Sequence, residues 1–305
     1  LVFGVPDEMV VTQNPVVGES ELVATVNVED VEATGVDGLE SGEEEVLTDE
    51  AFFELIDSLY MTRDQEGNLI LSIKKLETFL AVLDTRPKGD PQTVVLKYKC
   101  SWRLARHISF VDEYSNTTGK EKTTRKEKLA YYKQGETYAN QAIQLDEYGV
   151  EGYYWKGVVL GKGAEFRGLL ESLFSVGPIE SAMKQLLQVD SDYARAHFVL
   201  SRLYRKAPSF ISVGDIKKSQ LHILKGVQLA PDDSFIQLEL GKVLQALNNP
   251  VGAKYAYEKV IQMVIPEDEF APEIEKNKAE ARSLLKNLKP DLEKLESKEK
   301  ETMNL

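Results

Sequence analysis

From about residue 49 the apolar positions recur every three or four residues to near the end of the chain, the spacing of one helix face. Thr48 or Asp49 can cap a first helix carrying Phe52, Phe53, Ile56, Leu59 and Tyr60. After the polar turn Asp64-Gln65-Glu66-Gly67-Asn68, a second helix aligns Leu69, Ile73, Leu76, Phe79, Leu80 and Leu83. Two helices joined this way predict a hairpin. The turn has half the look of a calcium loop, but the ligand places around Gly67 hold Thr62 and Ile73, so it reads as a plain helix–helix turn.

The pattern then repeats. Ser219, Ile223, Gly226 and Val227 fall 34 residues before Ala253, Tyr257, Val260 and Ile261, the tetratricopeptide period. The same second-helix pattern recurs upstream in Met183, Leu186, Leu187 and Asp190, and in Ala139, Ala142, Ile143 and Asp146. In the first helix 235–247, a side chain larger than Gly241 would push its hairpin apart. Hairpins are predicted at about 50–84, 91–146, 149–190, 192–230 and 232–265, closed by a helix near 270–288. The fold class is all-α: a tetratricopeptide-like helical-hairpin solenoid at 49–290, after a disordered acidic tether at 1–48 and before a charged tail at 291–305.

Two hairpins carry extra residues between their helices, 164–176 and 207–212. In the first, Phe166, Leu169, Leu170, Leu173 and Phe174 make an amphipathic stripe; the second holds Pro208, Phe210 and Ile211. Insertions recurring at one place in a solenoid gather on one face, often the binding face. The expectation is one apolar site lined by Trp155, Phe166, Leu170, Phe174 and Phe210, for a hydrophobic small molecule, a protein partner's apolar helix or a second copy of the chain; ordinary core and a stripe lying on a membrane surface stay open as alternatives.

Charge sharpens the division. The chain's 305 residues hold 37 Lys and Arg against 50 Asp and Glu, for a net charge of −13. Residues 1–50 contain 14 acids and no base, so the other 255 residues stand at 37 − 36 = +1. That acidic, Gly- and Pro-containing stretch has the composition of a solvated tether, with room for one short strand in the Val-rich alternation of Val23–Val31. The acidic balance gives no footprint for nucleic acid, and no apolar run approaches the roughly 18 residues that span a bilayer.

Candidate chemistry is sparse. One cysteine, Cys100, and three histidines, His107, His197 and His222, predict no metal cage, no disulfide framework and no catalytic triad. The glycines of 157-GVVLGKG-163 have three residues where a phosphate loop needs four and Gly163 where it needs a hydroxyl, so they read as a loosened helix end. The sequon Asn116-Thr117-Thr118 is chemically sound, and 120-KEKTTRKEK-128 reads as a solvated helix start. No cofactor is expected, and the chain reads as a non-enzyme.

The runs 151–170, 178–208 and 214–231 resemble the divergent tetratricopeptide proteins grouped as T-components of TRAP transporters. They are similar also to the regulator-of-microtubule-dynamics proteins, whose Trp-Arg-x-x-Arg opening matches Trp102, Arg103, Ala105 and Arg106. Val213-Gly214-Asp215 stands where Gly-Gly-Asp is common in the family. The first resemblance implies an exported, periplasmic accessory of a solute-uptake system, partnering a solute-binding protein; a removed export signal ahead of Leu1 agrees with it. The second implies an intracellular protein–protein interaction scaffold.

Overall fold

A computed structural model of the chain describes residues 24–26, 45–114, 124–266 and 270–303. In order these form β1 (Ala24–Val26), β2 (Glu45–Leu47), α1 (Asp49–Met61), α2 (Asn68–Asp84), α3 (Pro91–Ile108), α4 (Val111–Tyr114) and α5 (Arg125–Leu145). There follow α6 (Val150–Glu165), α7 (Leu169–Val189), α8 (Ala194–Lys206), α9 (Ile216–Leu229), α10 (Ser234–Ala246), α11 (Pro250–Gln262) and α12 (Ala271–Met303). The hairpins are α1/α2, α3/α5, α6/α7, α8/α9 and α10/α11, and α12 closes the stack against α11.

Polar caps start most of these helices. Thr48, Asp90, Asp215, Asp233 and Asn249 each accept a backbone N–H of the first turn, and Thr124 with Glu127 forms a reciprocal capping box. Asp146 and Asp190 end α5 and α7 identically, each accepting at 3.0 Å from the N–H two residues on. The 34-residue repeat is visible in the packing: α9 and α11 start 34 residues apart, and Ile223 and Gly226 are buried like Tyr257 and Val260. Asp215 caps α9, and a Cβ on Gly214 would lie 2.0 Å from the Ala207 carbonyl oxygen. That carbonyl demands glycine at 214 only; Val213 instead packs on the Tyr153–Leu200 cluster.

Each second helix packs on the next first helix, and first helices also touch one another: α3 with α6, α6 with α8, α8 with α10. The first helices therefore line the inner face of the curve.

Within 1–48 the described residues pair as an antiparallel ribbon, Ala24 opposite Leu47 and Val26 opposite Glu45, with β1 in the Val-rich stretch that had room for a strand; the rest of the expected tether lies outside the described residues, as does the sequon. Two expectations change. The tail expected at 291–305 continues α12 through Pro290 to Met303, held where buried Leu288 and partly buried Leu292 meet the α11 cluster. The glycines of 157–163 do not loosen α6, which runs on to Glu165.

His107 is fully buried and its Nδ1–H donates to the Arg103 carbonyl at 2.6 Å; burial, then neighbouring Arg106, pushes its pKa down to about 3. His197 and His222 meet Nδ1 to Nδ1 at 3.0 Å, with His197 Nε2 3.3 Å from the Ser191 carbonyl, an arrangement that suits neutral rings. Burial and then His197 lower His222 to about 4. The unfolded chain takes up these protons near pH 6.5 while the folded chain refuses them, so stability is full above 6.5 and lost as pH falls toward 4. Thermal melts between neutral pH and about pH 5 should show a loss of about 2 kcal/mol from His107 alone. A flat profile over that range would contradict it.

Candidate functional site

The inner face is built around Arg63, which caps the end of the first hairpin's opening helix and is only 1% exposed. Its Nη1 donates to the Tyr60 carbonyl and its Nη2 to Glu273 of α12, both at 2.7 Å. The guanidinium lies 3.5 Å from the Phe270 ring centroid, 4.0 Å from Tyr60 and 4.8 Å from Phe110. A planar cation between π faces is a stable way to bury charge when a carboxylate completes it. It also joins the first hairpin to the last helix, 210 residues away.

The Tyr60 ring also meets the Trp102–Arg106 segment. Arg106 stands 4.0 Å from the Tyr60 centroid, and Arg103 and Arg106 both flank Trp102. Both arginines grip Asp57, Arg103 with two hydrogen bonds of 2.7 and 3.1 Å. Burial works to raise the Asp57 carboxyl, but the two guanidiniums hold it below its ordinary range. The Trp-Arg-x-x-Arg motif is thus a bolt between the first two hairpins. Cys100, one turn earlier, is fully buried, and burial pushes its thiol up.

Glu113 of α4 forms a second bridge, to Lys162 of α6 at 2.6 Å and Lys276 of α12 at 2.8 Å. Burial alone would raise its pKa; Lys162 and Lys276 keep it low. Lys162, the lysine of the glycine cluster, also lies 4.2 Å from the Phe110 ring centroid, so it serves packing across the inner face.

Farther along the inner face an open cleft of about 510 Å³ lies between α8, α10 and α12. Arg202, Arg205, Lys206 and Lys242 line it opposite Glu280 and Leu284. Arg205 reaches Glu239 with two bonds of 2.6 and 2.9 Å, and Lys242 pairs with Glu280 at 2.7 Å. Arg202 and Lys206 share one carboxylate, Glu165, at 2.6 and 2.8 Å. Burial tends to raise Glu165, and these two cations outweigh it. Four cations thus face three acids, and the side chains of Arg202 and Lys206 remain 42% and 49% exposed.

The structure distributes the residues expected to line one apolar site. Trp155 is half-buried on the inner face, edge-on to Phe110 and Tyr154. Phe166 ends α6 and stacks on Tyr132 of α5 at 5.8 Å, with Lys128 over its ring and Arg125 Nε donating to its carbonyl. Phe174 and Phe210 project into solvent at 82% and 84% exposed. Leu170 falls in the first turn of α7, and its side chain lies outside the described residues. Among the described residues no ring contact joins any two of the five. The turn at 166–168 is the cause: it puts Phe166 on one helix and Leu170 and Phe174 on another, so the stripe is not one helix face.

The comparisons with known proteins meet this geometry. A family model described as regulator of microtubule dynamics protein 1-3 matches residues 53–207, half of the chain. The chain belongs to that family. Of the two resemblances in the sequence this is the microtubule-dynamics one, and the matched run holds the Asp57–Arg103–Arg106 bolt, Arg63 and Glu113. No curated protein matches the chain. Among solved structures, TTC0263, a tetratricopeptide protein of Thermus thermophilus, is similar at 15% identity over 77% of this chain and 98% of its own, with a TM-score of 0.53. MamA from Desulfovibrio magneticus RS-1 is similar at 16% identity over 72% of this chain and 97% of that one, with a TM-score of 0.43. The first likeness shows that this microtubule-dynamics family member has a tetratricopeptide-like fold. Among the described residues no helix is long and apolar enough to cross a membrane.

Proposed function

We propose that the chain is a non-enzymatic protein-interaction scaffold, and that the inner-face cleft between α8, α10 and α12 takes an acidic segment of a protein partner. The observation that carries this is the sharing of Glu165 by Arg202 and Lys206, which leaves positive charge unmatched in a concave, reachable place. The family's name directs the choice of partner to microtubules. Exposed Phe174 and Phe210 offer a separate apolar contact, since single large rings held in water favour a covering surface. An exported role beside a solute-uptake transporter rests on the T-component resemblance alone.

The test is binding of a short labelled poly-glutamate peptide, alongside co-sedimentation with polymerised tubulin, at low and high salt. Arg202→Ala with Lys206→Ala should weaken both by about tenfold at low salt while the helical signal stays unchanged. Phe174→Asp should also leave the fold intact and leave peptide binding unaltered. Equal binding by the paired-cation variant and the parent would end the cleft reading.

A further inference from the structure

We propose that Phe270 and the first two turns of α12 that follow it are a built-in occupant of a helix-binding site on the inner face, and that a partner's amphipathic helix carrying an aromatic residue, Glu, an aliphatic residue and Asn at i, i+3, i+4 and i+7 takes its place. This rests on the scaffold reading above and names a partner chemistry for it.

The spacing comes from the anchors themselves. Phe270 meets Arg63 at 3.5 Å and Tyr114 edge-on at 5.6 Å. Glu273 pairs with Arg63 at 2.7 Å, and Asn277 Nδ2 donates to Ser234 Oγ at 3.0 Å. Ile274 between them is 3% exposed. Positions 270, 273, 274 and 277 are the i, i+3, i+4 and i+7 anchors by which a helix lies in a groove. Their receptors come from the turn after α1, from α4 and from α10, so the segment crosses the stack rather than extending it as another hairpin.

The two halves of α12 are held by different means. From Ala281 to Leu292 the helix is fixed by an apolar cluster with Tyr257, Val260 and Leu238, which closes the solenoid. Its first turns are held by one aromatic ring, one aliphatic side chain and polar contacts, among them the exposed Lys276 on Glu113. Lifting residues 270–277 therefore leaves the closing contact in place and uncovers Arg63, Tyr114 and Ser234 for a helix of the same pattern. Tethered so near, the internal copy competes at high effective concentration, and a partner must match or exceed its anchors.

The experiment uses the full chain and a labelled synthetic peptide of residues 270–281. Phe270→Ala with Glu273→Gln weakens the internal copy, and this variant should bind the peptide at least about tenfold more tightly than the parent does. A peptide carrying the same two substitutions should bind neither. In the parent, excess peptide should speed hydrogen exchange of the amides at 273–278, a readout that does not depend on how the variant folds. A variant that keeps its helical signal yet binds no better than the parent would overturn the proposal, as would unchanged exchange in the parent. Poly-glutamate binding by the same variant reports the cleft separately: if it persists while the 270–281 peptide fails, the scaffold reading stands and this one falls.

Discussion

Gly241→Ala is expected to destabilise the chain by about 1–3 kcal/mol, and Gly161→Ala to stabilise it by about 0.5–1 kcal/mol, although both replace a glycine inside a helix. Helix propensity favours alanine equally at the two sites. The difference lies in what the new methyl meets. At Gly161 nothing stands within 4 Å. At Gly241 the Cβ would fall 2.2 Å from Cε1 and 2.5 Å from Cδ1 of Tyr257. That ring is fully buried, and its hydroxyl donates to Gln245 at 3.0 Å, so it has no free space to swing into. The α10/α11 hairpin must open, and α12, which packs on Tyr257, moves with it. Urea titration of the two variants measures both signs, and Tyr257→Leu in the Gly241→Ala background should recover part of the loss. A stable Gly241→Ala protein would show that the hairpin tolerates a wider spacing than the close approach implies.

Arg63→Met is expected to cost about 3 kcal/mol, the lower part of the range for removing one member of a buried ion pair. The loss leaves the largely buried Glu273 carboxylate without its cation, beside the aromatic rings that enclosed the guanidinium. Detachment of the first turns of α12 caps the cost, because a lifted Glu273 regains water. The double variant Arg63→Met with Glu273→Met should recover most of the stability, since among the described residues Arg63 Nε has no hydrogen-bond partner and an apolar pair would suit the aromatic walls. A cycle of the two single variants and the double gives the coupling. Coupling below about 0.5 kcal/mol would mean that the aromatic stacking, and not the ion pair, holds the two ends together.

The helices and their pairing were legible because their determinants are local. Phe52, Ile56 and Leu59 share a face through steps of three and four, whatever lies elsewhere in the chain, and all are buried. Gly241 could be singled out for the same reason: a small residue in a first helix marks a close approach to its own second helix, and Tyr257 supplies it. The apolar site was not legible. The residues 164–176 keep helical spacing across the reversal at 166–168, so a periodic pattern passes through a place where the backbone turns back.

The ends of the chain mark the boundary most clearly. Periodicity and turn chemistry alone established five hairpins and the order in which they stack, since each hairpin answers to its own residues and its neighbours. Arg63 sits beside a polar turn where a charged side chain reads as solvated, and Phe270, Glu273 and Asn277 sit at the start of a helix that reads only as closing the stack. Their meeting depends on the curve of the whole stack, which sums small rotations at every hairpin interface and brings residues 210 apart into contact. No short window of the chain carries that sum, so the inner-face clamp, the cleft beside it and the separation of Phe166 from Phe174 were decided by the tertiary structure.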